Sequence, residues 1–190
     1  FMNKIGFGYE ASASVVEPIG RLLRAARAAG IPIFLTRYSL NEDYSDAGLL
    51  LEVLPAIKGM GGLVRDTWDA AIVDELAPRP GDVVIDKTRY SAFIQGSSDL
   101  EAQLRRRGIT AVWIGGTTTS TCCESTARDA MLLNFRTTMV SDGNADHTDA
   151  EHDATLIKFC INFGDVASTD DLIARLEGSK ALPERGLAVG

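Results

Sequence analysis

Short apolar runs alternate with amphipathic segments of ten or more residues in this chain, and this alternation constrains its fold more than any other feature. The clearest runs are residues 109–114 and 136–141, and amphipathic segments follow them at about residues 121–133 and 149–162. Connections of this length join parallel strands, so the pattern predicts a mostly parallel sheet that helices cover on both faces. The predicted fold class is therefore α/β, a three-layer α-β-α sandwich with a Rossmann-like sheet.

The first half of the chain follows the same pattern less regularly. Residues 14–29 predict an amphipathic helix, and residues 31–37 and 82–86 predict buried strands. Residues 38–66 have no clear periodicity, and residues 69–76 predict a short helix. An α/β domain of this kind normally begins with a strand, often a central one, so we expect that strand to lie upstream of the first residue.

Length and charge limit the class of protein. A chain of 190 residues suits one α/β domain, and we expect residues 1–190 to form it. The net charge of −7 disfavours nucleic acid and anionic membranes as partners, so a small molecule is the expected one. No apolar run approaches the roughly 18 residues of a membrane span. With only 3 cysteines, a cytoplasmic enzyme or metabolite-binding protein is favoured.

Chemically active side chains follow three of the predicted strands. Lys87 comes directly after such a strand, and Cys122 and His147 each come several residues after one. Open parallel sheets bind ligands beyond the carboxyl ends of their strands, where these side chains meet. The sequence therefore places an ammonium, a thiol and an imidazole at one edge of the sheet.

Cys122 is the strongest catalytic candidate. It follows a turn of glycine, threonine and serine and begins a predicted helix, where the helix dipole and free N–H groups stabilise a thiolate. The same N–H groups, with one from the turn at Thr117 and Thr118, are suited to hold an oxyanion. The alternative is that Cys122 is a small buried side chain, as free cysteines usually are. Cys123, about 100° further around the helix, is expected to pack in the core.

Other residues near this edge have two interpretations each. Lys87 either lies partly buried beside a thiolate or extends to solvent. Trp68, Tyr90 and Phe93 either line a small apolar pocket or pack in the core. Arg89 pairs with a substrate carboxylate or, as is somewhat favoured, forms a structural ion pair.

The two histidines offer little further chemistry. A pair of His147 with the cysteine is a less favoured arrangement, and His152 is expected to cap or pack its helix. Their spacing beside nearby acidic residues matches no common metal site, so no metal is expected. The glycines at residues 59–62 lack the strand and helix of a dinucleotide fingerprint, and no organic cofactor is expected either.

Three stretches together resemble the isochorismatase-like cysteine hydrolases, which include isochorismatases, nicotinamidases, N-carbamoylsarcosine amidases and ureidoacrylate amidohydrolases. These stretches are residues 66–76 with 80–93, residues 116–130, and residues 139–145. Their order and spacing agree over nearly the whole chain. The resemblance implies an Asp–Lys–Cys triad in which Cys122 is the nucleophile and Lys87 is its cationic partner.

The resemblance also implies the surroundings of the nucleophile. A non-proline cis peptide falls at Thr117–Thr118, and the N–H groups of Thr118 and Cys122 form the oxyanion hole. We expect the substrate site to be lined by Trp68, Tyr90, Phe93 and Thr117.

The chain departs from the family pattern at two places. The aspartate of the triad falls immediately before Phe1, so either the sequence is truncated, which is favoured, or this member is inactive. The metal ligands of the nicotinamidase branch are missing, because residues 38–66 contain no histidine. This absence argues against a metal-dependent nicotinamidase.

The activity implied by the resemblance is hydrolysis of a C–N bond in a small amide or ureido compound through a thioester. Two alternatives stay open. One is vinyl-ether hydrolysis of the isochorismatase type, which does not need the thiol as nucleophile, and the other is a non-catalytic binding module that kept the fold. A homo-oligomer, either a dimer or a tetramer, is expected.

Overall fold

The structure, a computed structural model, describes residues 9–180. The described strands β1 to β5 are Phe34–Tyr38, Val83–Lys87, Ala111–Thr117, Arg136–Ala145 and Asp165–Ala167. The described α-helices α1 to α8 are Tyr9–Ser14, Val16–Ala28, Leu50–Val53, Ala56–Gly59, Leu100–Arg106, Glu124–Leu132, Asp149–Asn162 and Thr169–Lys180. None of these helices combines the length and the apolar character needed to span a membrane.

All the strand pairings are parallel, as predicted, but the described strands form two hydrogen-bonded groups. One group is β1 with β2, and the other has the order β3-β4-β5. β1 and β3 share apolar packing through Leu35 and Trp113, although they are not paired by hydrogen bonds. The strand and the aspartate expected upstream of Phe1 lie outside the described residues.

Helices cover both faces of the strands. On β4, Val140 packs with Leu172 of α8, whereas the adjacent Met139 packs with Phe159 of α7. Successive side chains of a strand point to opposite faces, so α8 and α7 lie on opposite sides. This arrangement confirms the predicted α/β class with helices flanking parallel strands.

The segment between β1 and β2 contains a small core of its own. Its buried side chains are Leu40, Tyr44, Ala47, Leu50, Ile57 and Leu63. The hydroxyl of Tyr44 donates a hydrogen bond to the carbonyl of Gly62 at 2.9 Å. Tyr38 and Tyr90 pack against this cluster, which therefore lies at the carboxyl ends of β1 and β2.

The short helix predicted at residues 69–76 is wrong. Two 3₁₀ turns, Trp68–Ala70 and Asp74–Leu76, occupy the segment instead. Between them, Ala71 and Val73 have extended backbone, with ψ angles of 150° and 145°. The β-branched pair at residues 72 and 73 favours extended backbone over a helix.

Candidate active site

Lys87 and Cys122 meet at the carboxyl ends of β2 and β3. The Lys87 Nζ lies 3.5 Å from the Cys122 Sγ. The ammonium also donates to the carbonyls of Arg89 at 2.9 Å and Tyr90 at 3.0 Å. Lys87 is only 5% exposed, so its charge is held inside the protein rather than extended to solvent.

Tyr38 covers the ammonium from β1. Its ring centroid lies 4.4 Å from the Lys87 Nζ, and its hydroxyl donates to the carbonyl of Thr88 at 3.0 Å. The Tyr90 ring meets the Tyr38 ring edge-on at 6.3 Å. Burial raises the pKa of the Tyr38 phenol, and the nearby Cys122 raises it further. The phenol is therefore neutral near pH 7.

The cysteine lies on a widened helical turn. Residues Thr119–Cys123 form a π-helical turn that continues into α6, where the sequence predicted a regular helix from residue 121. The carbonyl of Thr118 accepts from the N–H groups of Thr121 and Cys123 at 3.4 and 3.2 Å. The peptide bond Thr117–Thr118 is cis, as the resemblance implies.

Two side chains that follow β4 brace this turn. The Asp146 carboxylate, which is buried, accepts from the N–H of Ser120 at 2.5 Å. The Nδ1 of His152 lies 2.8 Å from the Oγ1 of Thr119, a fully buried residue. The sequence assigned no site role to either side chain, although both follow a strand that ends at this edge. His147 is exposed, and the polar neighbour of Cys122 is Lys87 instead.

The hydroxyl of Thr126 links the turn that carries Cys122 to the loop after β2. The Oγ1 of Thr126 donates to the carbonyl of Cys122 at 2.6 Å and accepts from the N–H of Ala92 at 3.3 Å. Thr126 lies on α6, and Ala92 lies on the loop after β2. This link therefore ties the nucleophile turn to the loop that carries the carbonyl acceptors of Lys87.

The other cysteines differ from Cys122 in their surroundings. Cys123 is buried among Ala127, Met139 and Phe159, as expected for a core residue. Burial raises the pKa of the Cys123 thiol, with a smaller contribution from Cys122. Cys160 is exposed on α7.

The residues expected to line a substrate site separate into two groups. Tyr90 contacts the lysine, and Thr117 ends β3 beside the cis peptide. Phe93 instead packs in the core, with its ring 5.4 Å from that of Phe135. The Trp68 side chain is 82% exposed on its 3₁₀ turn, so it encloses no pocket with its neighbours among residues 9–180.

Arg89 fastens the loop between β1 and β2 to the site. Its Nη1 donates to the carbonyls of Asp46 and Thr88, each at 2.7 Å, and within residues 9–180 it does not form the ion pair that the sequence favoured. Gly48, with a φ of +60°, lies against the guanidinium, where a Cβ would come within 2.8 Å of Nη2. A larger residue at this position would displace Arg89.

Metal ligands do not cluster in the described part of the chain. Within residues 9–180, no group of three or more His, Cys, Asp or Glu side chains is arranged to hold a metal ion.

Known proteins are similar to this chain in both sequence and fold. The isochorismatase domain profile matches residues 1–171. The ureidoacrylate amidohydrolase RutB of Rhizobium rhizogenes is 33% identical, with 96% of this chain and 78% of that protein aligned. The crystal structure of a cysteine hydrolase from Pseudomonas syringae pv. phaseolicola has a TM-score of 0.83 at 32% identity, covering 89% of this chain and 83% of that one. N-carbamoylsarcosine amidase from Thermoplasma acidophilum has a TM-score of 0.71 at 25% identity, covering 86% and 87%.

Proposed function

Because this chain belongs to the isochorismatase domain family of hydrolases, we propose that it cleaves a C–N bond of a small amide or ureido compound with Cys122 as the nucleophile. The observation that carries the proposal is the 3.5 Å contact between the Lys87 ammonium and the Cys122 sulfur. A thiolate is the reactive form of cysteine, and a buried cation beside it favours that form. Within residues 9–180, no carboxylate lies at hydrogen-bond distance from Lys87.

The proposed reaction has two halves. The thiol proton passes to a base, for which the resemblance implies an aspartate immediately before Phe1, outside the described residues. The Cys122 sulfur attacks the carbonyl carbon, the C–S bond forms, and the C–N bond breaks as the leaving nitrogen takes a proton. Water then cleaves the thioester, which releases the acid and restores the thiol.

The oxyanion of each tetrahedral intermediate is proposed to bind the N–H groups of Thr118 and Cys122. Such donors act because they are fixed before the charge develops, and removing one typically costs about 10²–10³ in kcat. The contacts of Asp146 with the N–H of Ser120 and of His152 with the hydroxyl of Thr119 support this role, because they hold a backbone group and a side chain of the turn in place.

The names of the relatives favour a ureido compound as substrate. Ureidoacrylate and N-carbamoylsarcosine both carry a carbamoyl group on nitrogen. Attack on that carbonyl would leave an S-carbamoyl cysteine, and its hydrolysis would give carbamate, which decomposes to ammonia and carbon dioxide. Ammonia release therefore reports turnover of both simple amides and ureido compounds.

The test is an ammonia-release screen of ureidoacrylate, other ureido acids and small amides. We expect at least one to be turned over, Cys122→Ala to abolish its turnover, and Cys160→Ser, which changes an exposed cysteine on α7, to retain it. Turnover that survives in Cys122→Ala would contradict a cysteine nucleophile. Absence of turnover across the panel would favour the binding module.

The vinyl-ether alternative has its own discriminating result. The match to the isochorismatase domain supports vinyl-ether hydrolysis as a second candidate reaction. This reaction does not need the thiol as nucleophile. We expect Cys122→Ser to lose activity on the best C–N substrate. Retained hydrolysis of a vinyl ether by Cys122→Ser, with no C–N substrate found, would favour the ether reaction.

A further inference from the structure

We infer that Tyr38 is a positioning residue whose ring holds the Lys87 ammonium against Cys122. The inference rests on the proposed function, in which that ammonium favours the thiolate. Tyr38 does not need to touch the substrate for this role, because it acts through the lysine.

The pairing of β1 with β2 places Tyr38 beside Lys87. The two residues are directly aligned partners in the parallel register. Aligned residues on neighbouring strands point to the same face of a sheet, so the ring and the lysine stem lie side by side. The ring centroid is consequently 4.4 Å from Nζ, within the range of a cation–π contact.

The ring adds an attraction to those that the other neighbours of the ammonium supply. The acceptors that the described residues offer Lys87 are the carbonyls of Arg89 and Tyr90 and the sulfur of Cys122. The negative face of an aromatic ring attracts a cation. Tyr38 therefore helps to hold the ammonium close to the thiol.

Tyr38 is itself held in one orientation. Its hydroxyl is anchored on the carbonyl of Thr88 at 3.0 Å, and the Tyr90 ring lies edge-on at an interplanar angle of 73°. The titratable and charged groups that act on this assembly are Tyr90 and Arg89 from the loop after β2, Asp46 from the segment after β1, and Cys122 and Cys123 from the nucleophile turn.

The test compares Tyr38→Phe, which keeps the ring, with Tyr38→Leu, which removes it. Two quantities are measured: kcat/KM, and the pH midpoint of alkylation of Cys122 by iodoacetamide. We expect Tyr38→Phe to remain within about threefold of the parent. Tyr38→Leu should lose about 10- to 100-fold in kcat/KM, mainly in kcat, and its alkylation midpoint should move to higher pH.

Tyr44→Leu is the matched control. Tyr44 is a buried tyrosine of the same loop core, and its hydroxyl donates to Gly62 rather than to a residue that contacts Lys87. This variant should lower Tm as Tyr38→Leu does but leave the alkylation midpoint in place. An unchanged midpoint in Tyr38→Leu, or an equal shift in Tyr44→Leu, would overturn the inference.

Fluorinated phenylalanines at position 38 test the same idea if Tyr38→Leu does not fold. Each added fluorine withdraws electrons from the ring face but barely changes its shape. We expect the alkylation midpoint to rise with the number of fluorines, and a flat series would overturn the role of the ring. A failure of the proposed function is seen separately, as turnover that persists in Cys122→Ala.

Discussion

Methionine in place of Lys87 keeps the long apolar stem of the side chain and removes the charge that lies 3.5 Å from the Cys122 sulfur. At this separation, two unit charges attract by about 5 kcal/mol at an effective dielectric constant of ~20 and by about 1 kcal/mol in bulk water. Because Lys87 is buried and Cys122 is half-buried, we place the loss at about 3–5 kcal/mol, or roughly 10²–10⁴ in kcat/KM.

The assay is kcat/KM on the best substrate of the ammonia-release screen, together with the pH profile of Cys122 alkylation. Lys87→Arg should fail nearly as badly, because a planar guanidinium does not fit where a compact ammonium contacts two carbonyls and a sulfur. Lys158→Met, at an exposed lysine of α7, is the matched control and should retain activity. Circular dichroism should show that the variants are folded. Near-normal activity in Lys87→Met with an unchanged alkylation profile would contradict the role of the Lys87 charge.

Three further predictions concern other side chains. Iodoacetamide near neutral pH should label Cys122 much faster than the exposed Cys160 and leave the buried Cys123 unlabelled in the folded protein. Peptide mass mapping that shows equal labelling of the cysteines would contradict an activated thiol at Cys122. His147→Ala should keep kcat within about tenfold, because this histidine is exposed and Cys122 contacts Lys87. A loss of about 10³ in kcat with the fold intact would assign the role of general base to His147. The hydrogen-bonded Arg27 lowers the pKa of Asp82, so the pair stabilises the fold above about pH 4 and ceases to do so as the carboxylate is protonated at lower pH. Denaturant unfolding should therefore show Asp82→Asn about 1–3 kcal/mol less stable at pH 7 and nearly equal to the parent at about pH 2, and an equal deficit at both pH values would contradict this.

Local signals in the sequence were sufficient for the regular elements. The predicted helix at residues 149–162 agrees with α7 because Thr148 caps it, accepting from the N–H of Glu151. The helix predicted at residues 69–76 is wrong because the β-branched pair at residues 72 and 73 favours extended backbone. The core between β1 and β2 could not be predicted, because irregular turns bring Leu40, Tyr44 and Ile57 together and these residues have no regular spacing in the sequence.

The candidate site was predictable to the extent that it depends on strand ends. Lys87 ends β2 and Cys122 follows β3, and the carboxyl ends of parallel strands lie at one edge of the sheet. Tyr38 was missed because its contact with Lys87 depends on the register of β1 against β2, which no local pattern reveals. The hydrogen bond from the N–H of Ser120 to the Asp146 carboxylate joins residues 26 positions apart, so it forms only in the folded chain and no local pattern predicts it.

The most direct test of the account is a search for the covalent intermediate on Cys122. The protein is mixed with the best C–N substrate, quenched in acid within the first turnover and digested, and the peptide that carries Cys122 is weighed and fragmented. We predict that the mass increases by the acyl or carbamoyl part of the substrate and that fragmentation assigns the increase to Cys122 rather than Cys123. Product formed in that first turnover while the Cys122 peptide keeps its unmodified mass would contradict a thioester mechanism.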